Sequence, residues 1–243
     1  MKRTLLFVIC SFFALTMTAK TVTPAASLPA YYEAIDGKSG KSLFDAVQKV
    51  TKTGYSSLGY DGLWAAYKYT DLYDNGYVWD MYSDCTWKSI NSNHCGNYSD
   101  ECDCYNREHS IPKSWYGGTT SGPGCDIFHL VPTDGKVNGI RSNYPFGEVG
   151  SADYNKHGNK RGSAKSITIT GGNTIAGNTG TTVSASGTVF EPRDEYKGDF
   201  ARGYMGALLK WAGDKAFTEG EGSKTFTTNF STGSFGLTKY GVA

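Results

Sequence analysis

The chain contains 243 residues, enough for one domain with a sizeable core, or for one domain with appendages. Hydrophobic residues make up 39% and charged residues 19%, as in an ordinary globular protein, and the formal net charge is +1. This charge excludes a nucleic-acid binder that is basic throughout, so any phosphate-binding surface must be local. The sequence shows neither internal repeats nor coiled-coil heptads.

Residues 1–19 have the pattern of a secretory signal peptide. Lys2 and Arg3 precede the apolar run LLFVICSFFAL, and small residues follow around Thr18 and Ala19. The run is shorter than the roughly 20 residues of a membrane span, so we expect no span after cleavage and a secreted or periplasmic protein. A buried N-terminal helix is the alternative. Cleavage removes two positive charges, which takes the net charge from +1 to −1. Residues 20–30 then form a disordered linker before a domain at residues 31–243.

Two amphipathic helices are predicted early in the domain. The first covers residues 41–52, where apolar residues recur at helical spacing: Leu43, Phe44, Val47 and Val50. The second covers residues 61–72, with Asp61 as its N-cap. Its inward-facing residues are Leu63, Trp64 and Tyr67. Residues 77–84 predict a strand.

The cysteines predict disulfides, because these are the default in an exported protein. Five cysteines remain after cleavage: Cys85, Cys95, Cys102, Cys104 and Cys125. An odd number allows at most two internal bridges, and Cys125 stands apart from the others, so we predict that it is the unpaired one. A zinc site is the alternative, since His94 and His109 lie among these cysteines, but paired C-x2-C modules are missing.

Two passages place polar residues where packing alone would not favour them. In YNREHSIPKSW, residues 105–115, Arg107, Glu108 and His109 follow one another, and Pro112 then ends the predicted strand. In the second passage, DIFHLV predicts a strand at residues 126–131, which Pro132 ends. A helix follows, with Thr133 or Asp134 as its cap. Asn138 and Arg141 lie three residues apart on one face of that helix.

The rest of the domain adds a local cationic stretch and further elements. Residues 135–165 are rich in basic residues: Lys136, Arg141, Lys156, Lys160, Arg161 and Lys165. The Gly- and Thr-rich residues 163–188 contain SITIT and predict a surface hairpin or variable loop. Residues 198–214 predict a helix, whose inward face is Phe200, Tyr204, Leu208 and Trp211. Helices and short antiparallel strands that do not alternate indicate an α+β fold.

The residue types at the strand ends suit metal-assisted phosphodiester hydrolysis. A water must be deprotonated near neutral pH, and histidine has the pKa for this task. A divalent cation must hold the phosphate and stabilise charge on the leaving oxygen. One carboxylate and one amide oxygen, with water and substrate phosphate, satisfy Mg²⁺. An arginine would stabilise the additional negative charge.

Both passages resemble the signature of the bacterial endonuclease I family, exported nonspecific nucleases with the ββα-metal (His-Me finger) fold. The resemblance extends from YYEAIDGKSG at Tyr31, through YDGLWAAY and VWDMYSD, to VFEPRDEYKGDFAR, which ends at Arg202. It implies a ββα-metal core within a mixed helical and short-strand domain. It also implies a monomer that cleaves DNA and RNA without sequence preference, using Mg²⁺ or another divalent cation such as Mn²⁺ or Ca²⁺.

Carried onto this sequence, the resemblance implies that His109 is the general base and that Glu108 and Asn138 are metal ligands. His129 matches a position at the edge of the site and is expected to support it. The candidates for phosphate contact are Arg107, Lys113 and Arg141. This sequence departs from the family in one respect: some members carry a phosphate-binding arginine between the motif strands, where YGGTTSGPGCD has no basic residue. We expect another group, such as Arg141, to replace it.

The resemblance also implies that family members continue beyond residue 243. FGLTKYGVA, residues 235–243, shows the start of an apolar pattern without a helix cap, so we expect a half-started helix and a truncated domain. Two other functions remain as alternatives. A secreted cysteine hydrolase would use Cys125, which precedes a predicted strand where a helix start is needed. A disulfide-stapled binding module without activity would leave Glu108, His109 and Asn138 unexplained.

Overall fold

The computed structural model describes residues 32–87, 93–94, 97–118, 120–168, 182–183, 186–211, 226–229 and 234–237. The helices are α1 (Gly40–Lys52), α2 (Gly59–Thr70), α3 (Gly135–Arg141) and α4 (Asp194–Trp211). The strands are β1 (Tyr105–His109), β2 (Leu130–Asp134), β3 (Val149–Lys156), β4 (Asn159–Ala164), β5 (Ile167–Thr168), β6 (Thr182–Val183), β7 (Thr188–Glu191), β8 (Phe226–Asn229) and β9 (Ser234–Leu237). Two short 3-10 helices lie at Lys113–Tyr116 and Gly122–Cys125. This mixture confirms the predicted α+β class.

The strands form small antiparallel sheets. β1 pairs with β2, and α3 follows β2 without an intervening residue, which is the ββα order of the predicted core. β4 lies between β3 and β7 in a three-stranded sheet. β5 pairs with β6 within the predicted surface hairpin, and β8 pairs with β9.

The three predicted helices outside the core are present as α1, α2 and α4. Phe44 of α1, and Leu63 and Tyr67 of α2, are buried as the spacing predicts. The prediction that Asp61 caps α2 is wrong, because the helix begins two residues earlier and Leu58 precedes it. Asp61 lies in the first turn instead, where its negative charge interacts favourably with the helix dipole and stabilises the helix.

One strand prediction was wrong and another began too early, because aspartates bond to the backbone nearby. In residues 77–84, the Tyr82 amide donates to Asp80 Oδ1 at 2.7 Å, and only Val78 forms a strand bridge, to Leu72. In residues 126–131, the Phe128 amide donates to Asp126 Oδ1 at 3.2 Å. Such bonds compete with strand pairing and favour turns. β2 therefore begins only at Leu130, and it includes Pro132, which an edge strand tolerates.

The chain ends are described only in part. The expected half-started helix is wrong over Phe235–Leu237, since these residues form β9. Gly236 weakens a helix there, because glycine loses more conformational freedom than other residues. The predicted signal peptide and linker, and residues 238–243, lie outside the described residues. Among the described helices, none is both long enough and apolar enough to cross a membrane.

Apolar clusters hold the ββα unit from several sides. Tyr105 and Leu130 pack with Leu63 and Tyr67 of α2. Val137 of α3 packs with Phe190 of β7 and Phe200 of α4. On the third side, a cluster joins the Lys113–Tyr116 turn to α4: Ile111, Trp115, Tyr116, Tyr204, Ala207 and Trp211. Burial on each side fixes the strands and α3 relative to one another.

Candidate active site

The ββα unit brings the predicted catalytic and metal-binding residues onto adjoining elements. Glu108 and His109 are the last two residues of β1, paired with Val131 and Leu130 of β2. Asn138 lies in α3, whose N-terminus is capped by Asp134: its Oδ1 accepts from the Val137 amide at 2.8 Å. This cap was one of the two that the sequence predicted. It fixes the direction in which α3 leaves the strand.

His109 is buried, and one hydrogen bond determines which ring nitrogen carries its proton. Its Nε2 lies 3.2 Å from the carbonyl oxygen of Gly124. A carbonyl can only accept, so Nε2 is the donor and Nδ1 keeps its lone pair. Burial lowers the pKa of His109 to about 3, with further lowering from the neighbouring His129, Lys113 and Arg107. The imidazole is therefore neutral at physiological pH, and Nδ1 can accept a proton.

Glu108 lies in a buried network of charged and polar groups. Its Oε1 accepts from Arg141 Nη1 at 2.5 Å and from the Tyr82 hydroxyl at 2.8 Å. Burial raises the pKa of Glu108, and the Arg141 guanidinium and the Tyr82 hydroxyl oppose this effect. Arg141 also donates to the carbonyl oxygens of His109, at 2.8 Å, and Ser110. The network holds the end of β1 in one conformation.

Arg141, a candidate for phosphate contact, is inside the protein. Its side chain is only 1% exposed, and its guanidinium is bonded to Glu108 and to two carbonyl oxygens of the β1 end. In this arrangement the Arg141 charge is matched by Glu108 and is turned away from solvent. It supports the carboxylate instead of presenting a free cation to a substrate.

Arg107 is similarly occupied. Its Nη1 donates to the Tyr60 carbonyl at 2.6 Å and to Asp61 Oδ1 at 3.1 Å. Its guanidinium carbon lies 3.5 Å from the centre of the Tyr60 ring and 4.3 Å from that of Trp64. The Arg107 charge thus attaches β1 to the start of α2.

Lys113 differs from both arginines. It is half-buried in the 3-10 turn that begins four residues after His109, and its charge is one of those that lower the pKa of His109. Within the described part of the chain, no carboxylate pairs with Lys113. Elsewhere the predicted basic stretch is largely neutralised by acidic partners: Lys156 pairs with Glu101, Lys160 with Glu191 and Arg161 with Asp153.

His129 lies beside His109, and their ring centres are 6.4 Å apart. Its Nε2 is bonded to the Pro123 carbonyl at 2.7 Å, and its own carbonyl accepts from the Ser110 amide at 3.1 Å. Burial lowers the pKa of His129, while Asp126 opposes this effect. His129 thus connects the turn before β2 to the end of β1.

The donor set at the site suits a hard divalent cation. A Glu108 carboxylate has about four acceptor positions, and two donors occupy Oε1, which leaves positions for a metal. The Asn138 side chain is half-buried and makes no hydrogen bond to the described residues. Asn138 precedes Arg141 by three residues, so both side chains leave the same face of α3, and Arg141 reaches Glu108. Carboxylate and amide oxygens are the ligands that Mg²⁺, Mn²⁺ and Ca²⁺ prefer.

The cysteines within the described residues do not form a zinc site. Cys85 is bonded to Cys102, and Cys104 also takes part in a disulfide. Asp134 lies close to the Cys85–Cys102 pair, but sulfurs in a disulfide are not thiolate ligands. Cys125 is the free cysteine, as predicted. It is 4% exposed and lies at the end of a 3-10 helix. A nucleophilic thiol needs a partly exposed, electropositive environment, and this position does not provide that exposure.

Three contributors to the site were not singled out from the sequence: Tyr60, Tyr82 and Gly124. Tyr60 stacks on His109, Tyr82 donates to Glu108, and the Gly124 carbonyl accepts from His109. Tyr60 and Tyr82 fall in YDGLWAAY and VWDMYSD, which the resemblance includes. Nothing in the sequence marks the Gly124 carbonyl, because every residue carries one.

A buried histidine at the end of the first strand, a carboxylate beside it and an amide on the following helix define the ββα-metal class of fold. Comparison with known proteins gives the family. The sequence profile described as Endonuclease I matches residues 39–210, and the chain therefore belongs to the endonuclease I family.

Two relatives are both named extracellular ribonuclease. The chain is 30% identical to the one from Bacillus subtilis (strain 168) over 211 residues, covering 85% of this chain and 62% of the relative. It is 32% identical to the one from Bacillus amyloliquefaciens over 206 residues, covering 83% and 60%. The chain thus spans about three fifths of the length of the curated relatives it matches. No solved structure matches the chain significantly.

Proposed function

We propose that this protein is an exported endonuclease that requires a divalent cation and hydrolyses phosphodiester bonds of DNA and RNA without sequence preference. The observation that carries the proposal is the hydrogen bond of His109 Nε2 to the Gly124 carbonyl, which leaves Nδ1 of the neutral imidazole unprotonated, beside a carboxylate held at the end of β1. Membership of the endonuclease I family supports the reaction class. RNA is included because two relatives are named ribonuclease.

In this proposal His109 Nδ1 removes the proton from the attacking water. The Gly124 carbonyl holds the Nε2 proton and so keeps the useful tautomer. Glu108 and Asn138 would hold the cation. When bound, the cation neutralises phosphate charge and stabilises the leaving oxygen.

Arg141 is assigned to positioning Glu108, because its guanidinium is buried against that carboxylate. Lys113 is the best-placed phosphate contact of the three basic candidates, since no described carboxylate neutralises it. Arg107 would reach a phosphate only by leaving the Tyr60 and Trp64 rings. Contacts to phosphate carry no base code, so cleavage is expected to ignore sequence and to weaken with salt.

The test is cleavage of supercoiled plasmid and of single-stranded RNA by the purified chain, with excess Mg²⁺ and with a chelator. We expect cleavage at many positions on both substrates, lost with the chelator and restored by added Mg²⁺. Full activity in the chelator would reject the cation requirement, and one reproducible cut site would reject nonspecific cleavage. The same preparations report oligomeric state, for which a monomer is proposed. Export is proposed from residues 1–19 and from the relatives named extracellular.

A further inference from the structure

An aromatic ring from α2 lies against His109. The Tyr60 and His109 ring centres are 5.6 Å apart, with an angle of 23° between the planes, so the rings are stacked. Arg107 and His109 are two residues apart on β1, so their side chains leave the same face of the strand. Tyr60 covers both of them, because the Arg107 guanidinium carbon is 3.5 Å from the Tyr60 ring centre.

The start of α2 is fixed to β1 at this point. Arg107 donates to the Tyr60 carbonyl and to Asp61, and its other neighbour is the Trp64 ring at 4.3 Å. Trp64 in turn stacks on His94, with ring centres 4.4 Å apart. The Tyr60 ring therefore belongs to a chain of stacked groups and also contacts the Arg107 cation.

The Gly124 hydrogen bond alone does not fix the imidazole. One bond to Nε2, together with the covalent attachment at Cβ, fixes two points of the side chain and still allows the ring plane to turn about the line that joins them. The other aromatic neighbours are more distant and tilted: Tyr116 and His129 have ring centres 6.4 Å from that of His109, at 53° and 52°. Of these three rings, Tyr60 is the one nearly parallel to the imidazole. Its face is therefore the one that can fix the plane of the imidazole and hence the direction of Nδ1.

We propose that Tyr60 is a positioning residue for His109, whose ring holds the imidazole plane so that Nδ1 faces the attacking water. This inference rests on the proposed function, in which His109 is the base. The stacking face is the active part: among the described residues, nothing bonds to the Tyr60 hydroxyl. Phenylalanine at position 60 should therefore preserve the positioning of His109, whereas leucine should not.

Chemical rescue separates positioning from folding. His109→Gly removes the imidazole, and free imidazole added to the assay should restore cleavage by occupying the vacated space between Tyr60 and the Gly124 carbonyl. The measured quantity is the imidazole concentration that gives half-maximal rescue, in His109→Gly alone and combined with Tyr60→Leu or Tyr60→Phe. This concentration reports affinity, so it does not depend on how much of each variant is folded.

The control is Tyr69→Leu, which removes another tyrosine of α2, one that is 90% exposed and outside the stack. We expect Tyr60→Leu to raise the half-maximal concentration about 2- to 12-fold, as the loss of one aromatic pair predicts. Tyr60→Phe and Tyr69→Leu should leave it unchanged. In the chain that retains His109, Tyr60→Leu should lower kcat while KM stays near that of Tyr69→Leu.

Two results overturn the inference while leaving the proposed function intact. If the half-maximal concentration is the same with and without the Tyr60→Leu substitution, the ring does not orient imidazole. If Tyr60→Phe raises the half-maximal imidazole concentration as much as Tyr60→Leu does, the effect belongs to the hydroxyl and not to the ring. By contrast, a His109→Gly protein that cleaves normally without imidazole would reject His109 as the base, and with it the proposed function.

Discussion

The ββα unit and the β3–β4–β7 sheet use the same kinds of charged residue in different surroundings. In the ββα unit, Arg141 and Glu108 have side chains that are 1% and 3% exposed. In the sheet, Arg161 pairs with Asp153, whose side chains are 27% and 58% exposed. The Arg141–Glu108 pair is held away from water, whereas the Arg161–Asp153 pair is screened by it.

This difference indicates where function and stability depend on single residues. A buried charge that loses its partner keeps its full desolvation cost, whereas an exposed charge returns to water. In the proposed function the ββα unit also needs fixed geometry for a proton transfer, and the sheet does not. The comparison therefore predicts large effects in one region and small effects for matching substitutions in the other.

The largest contrast is expected between two histidines. His109→Ala should lower the cleavage rate by about 10² to 10⁴, because general-base catalysis is lost. His157→Ala, in the turn between β3 and β4, should leave the rate nearly unchanged, since the side-chain partners of His157 among the described residues are Glu101 and Asp84. Plasmid and RNA cleavage by both purified variants tests this, with circular dichroism as a check on folding. Near-normal cleavage by His109→Ala would break the comparison.

Two arginines provide the next contrast, in stability. Arg141→Met should lower the free energy of unfolding by about 3–5 kcal/mol, because Glu108 is left buried without its cation. Arg161→Met should change it by less than about 1 kcal/mol. Urea unfolding at neutral pH measures both. If Glu108→Gln is combined with Arg141→Met, part of the loss should return, and no recovery would show that the charge pair is not the cause.

The Cys85–Cys102 disulfide supports the ββα unit. It closes a loop with a sequence separation of 17, and the Cys102 amide donates to Asp134, the cap of α3, at 2.7 Å. Replacing both cysteines with alanine should cost about 3 kcal/mol, the loop-closure value for this length. Thermal unfolding with and without reductant measures it, and Cys125→Ala serves as the matched control. Unchanged unfolding of the double variant would separate the disulfide from the stability of α3.

The smallest expected effect concerns two buried carboxylates. Burial raises the pKa of Asp71 to about 6, and no described cation pairs with it. Burial also acts on Glu191, but the Val149 amide, Lys160 and Lys197 lower its pKa. Because the folded pKa of Asp71 lies above its unfolded value, the stability it contributes is present at pH 4 and is lost as the pH rises through 6. Glu191 contributes above pH 4.5, and this is lost only in more acidic solution.

Asp71→Asn should therefore remove a fall in stability of about 1–3 kcal/mol between pH 4 and pH 7. Glu191→Gln should keep that fall and be less stable than the wild-type chain throughout this range. Urea midpoints at closely spaced pH values measure both. If Asp71→Asn and the wild-type chain show the same pH dependence, a carboxyl group with a raised pKa at another position must be its source.

The sequence by itself determined the α+β class, the helices α1, α2 and α4 and the free Cys125, and it limited the cap of α3 to Thr133 or Asp134. These depend on local periodicity, on hydrogen bonds between residues close in sequence and on residue counts, all of which can be obtained from the sequence. The general-base and ligand assignments came from motif resemblance and remain proposals. The strands at residues 77–84 and 126–131 were mispredicted, because Asp80 and Asp126 bond to the backbone beside them and compete with pairing.

Only the tertiary structure decided which charges are available. Arg107, Lys113 and Arg141 are alike in sequence as cations near a motif. The fold places Arg107 between two aromatic rings, Arg141 against Glu108 in the interior, and leaves Lys113 beside His109. The partners of the two arginines come from residues 31 to 47 positions away along the chain. Burial and pairing depend on which distant segments pack together, and a local sequence pattern does not contain that information.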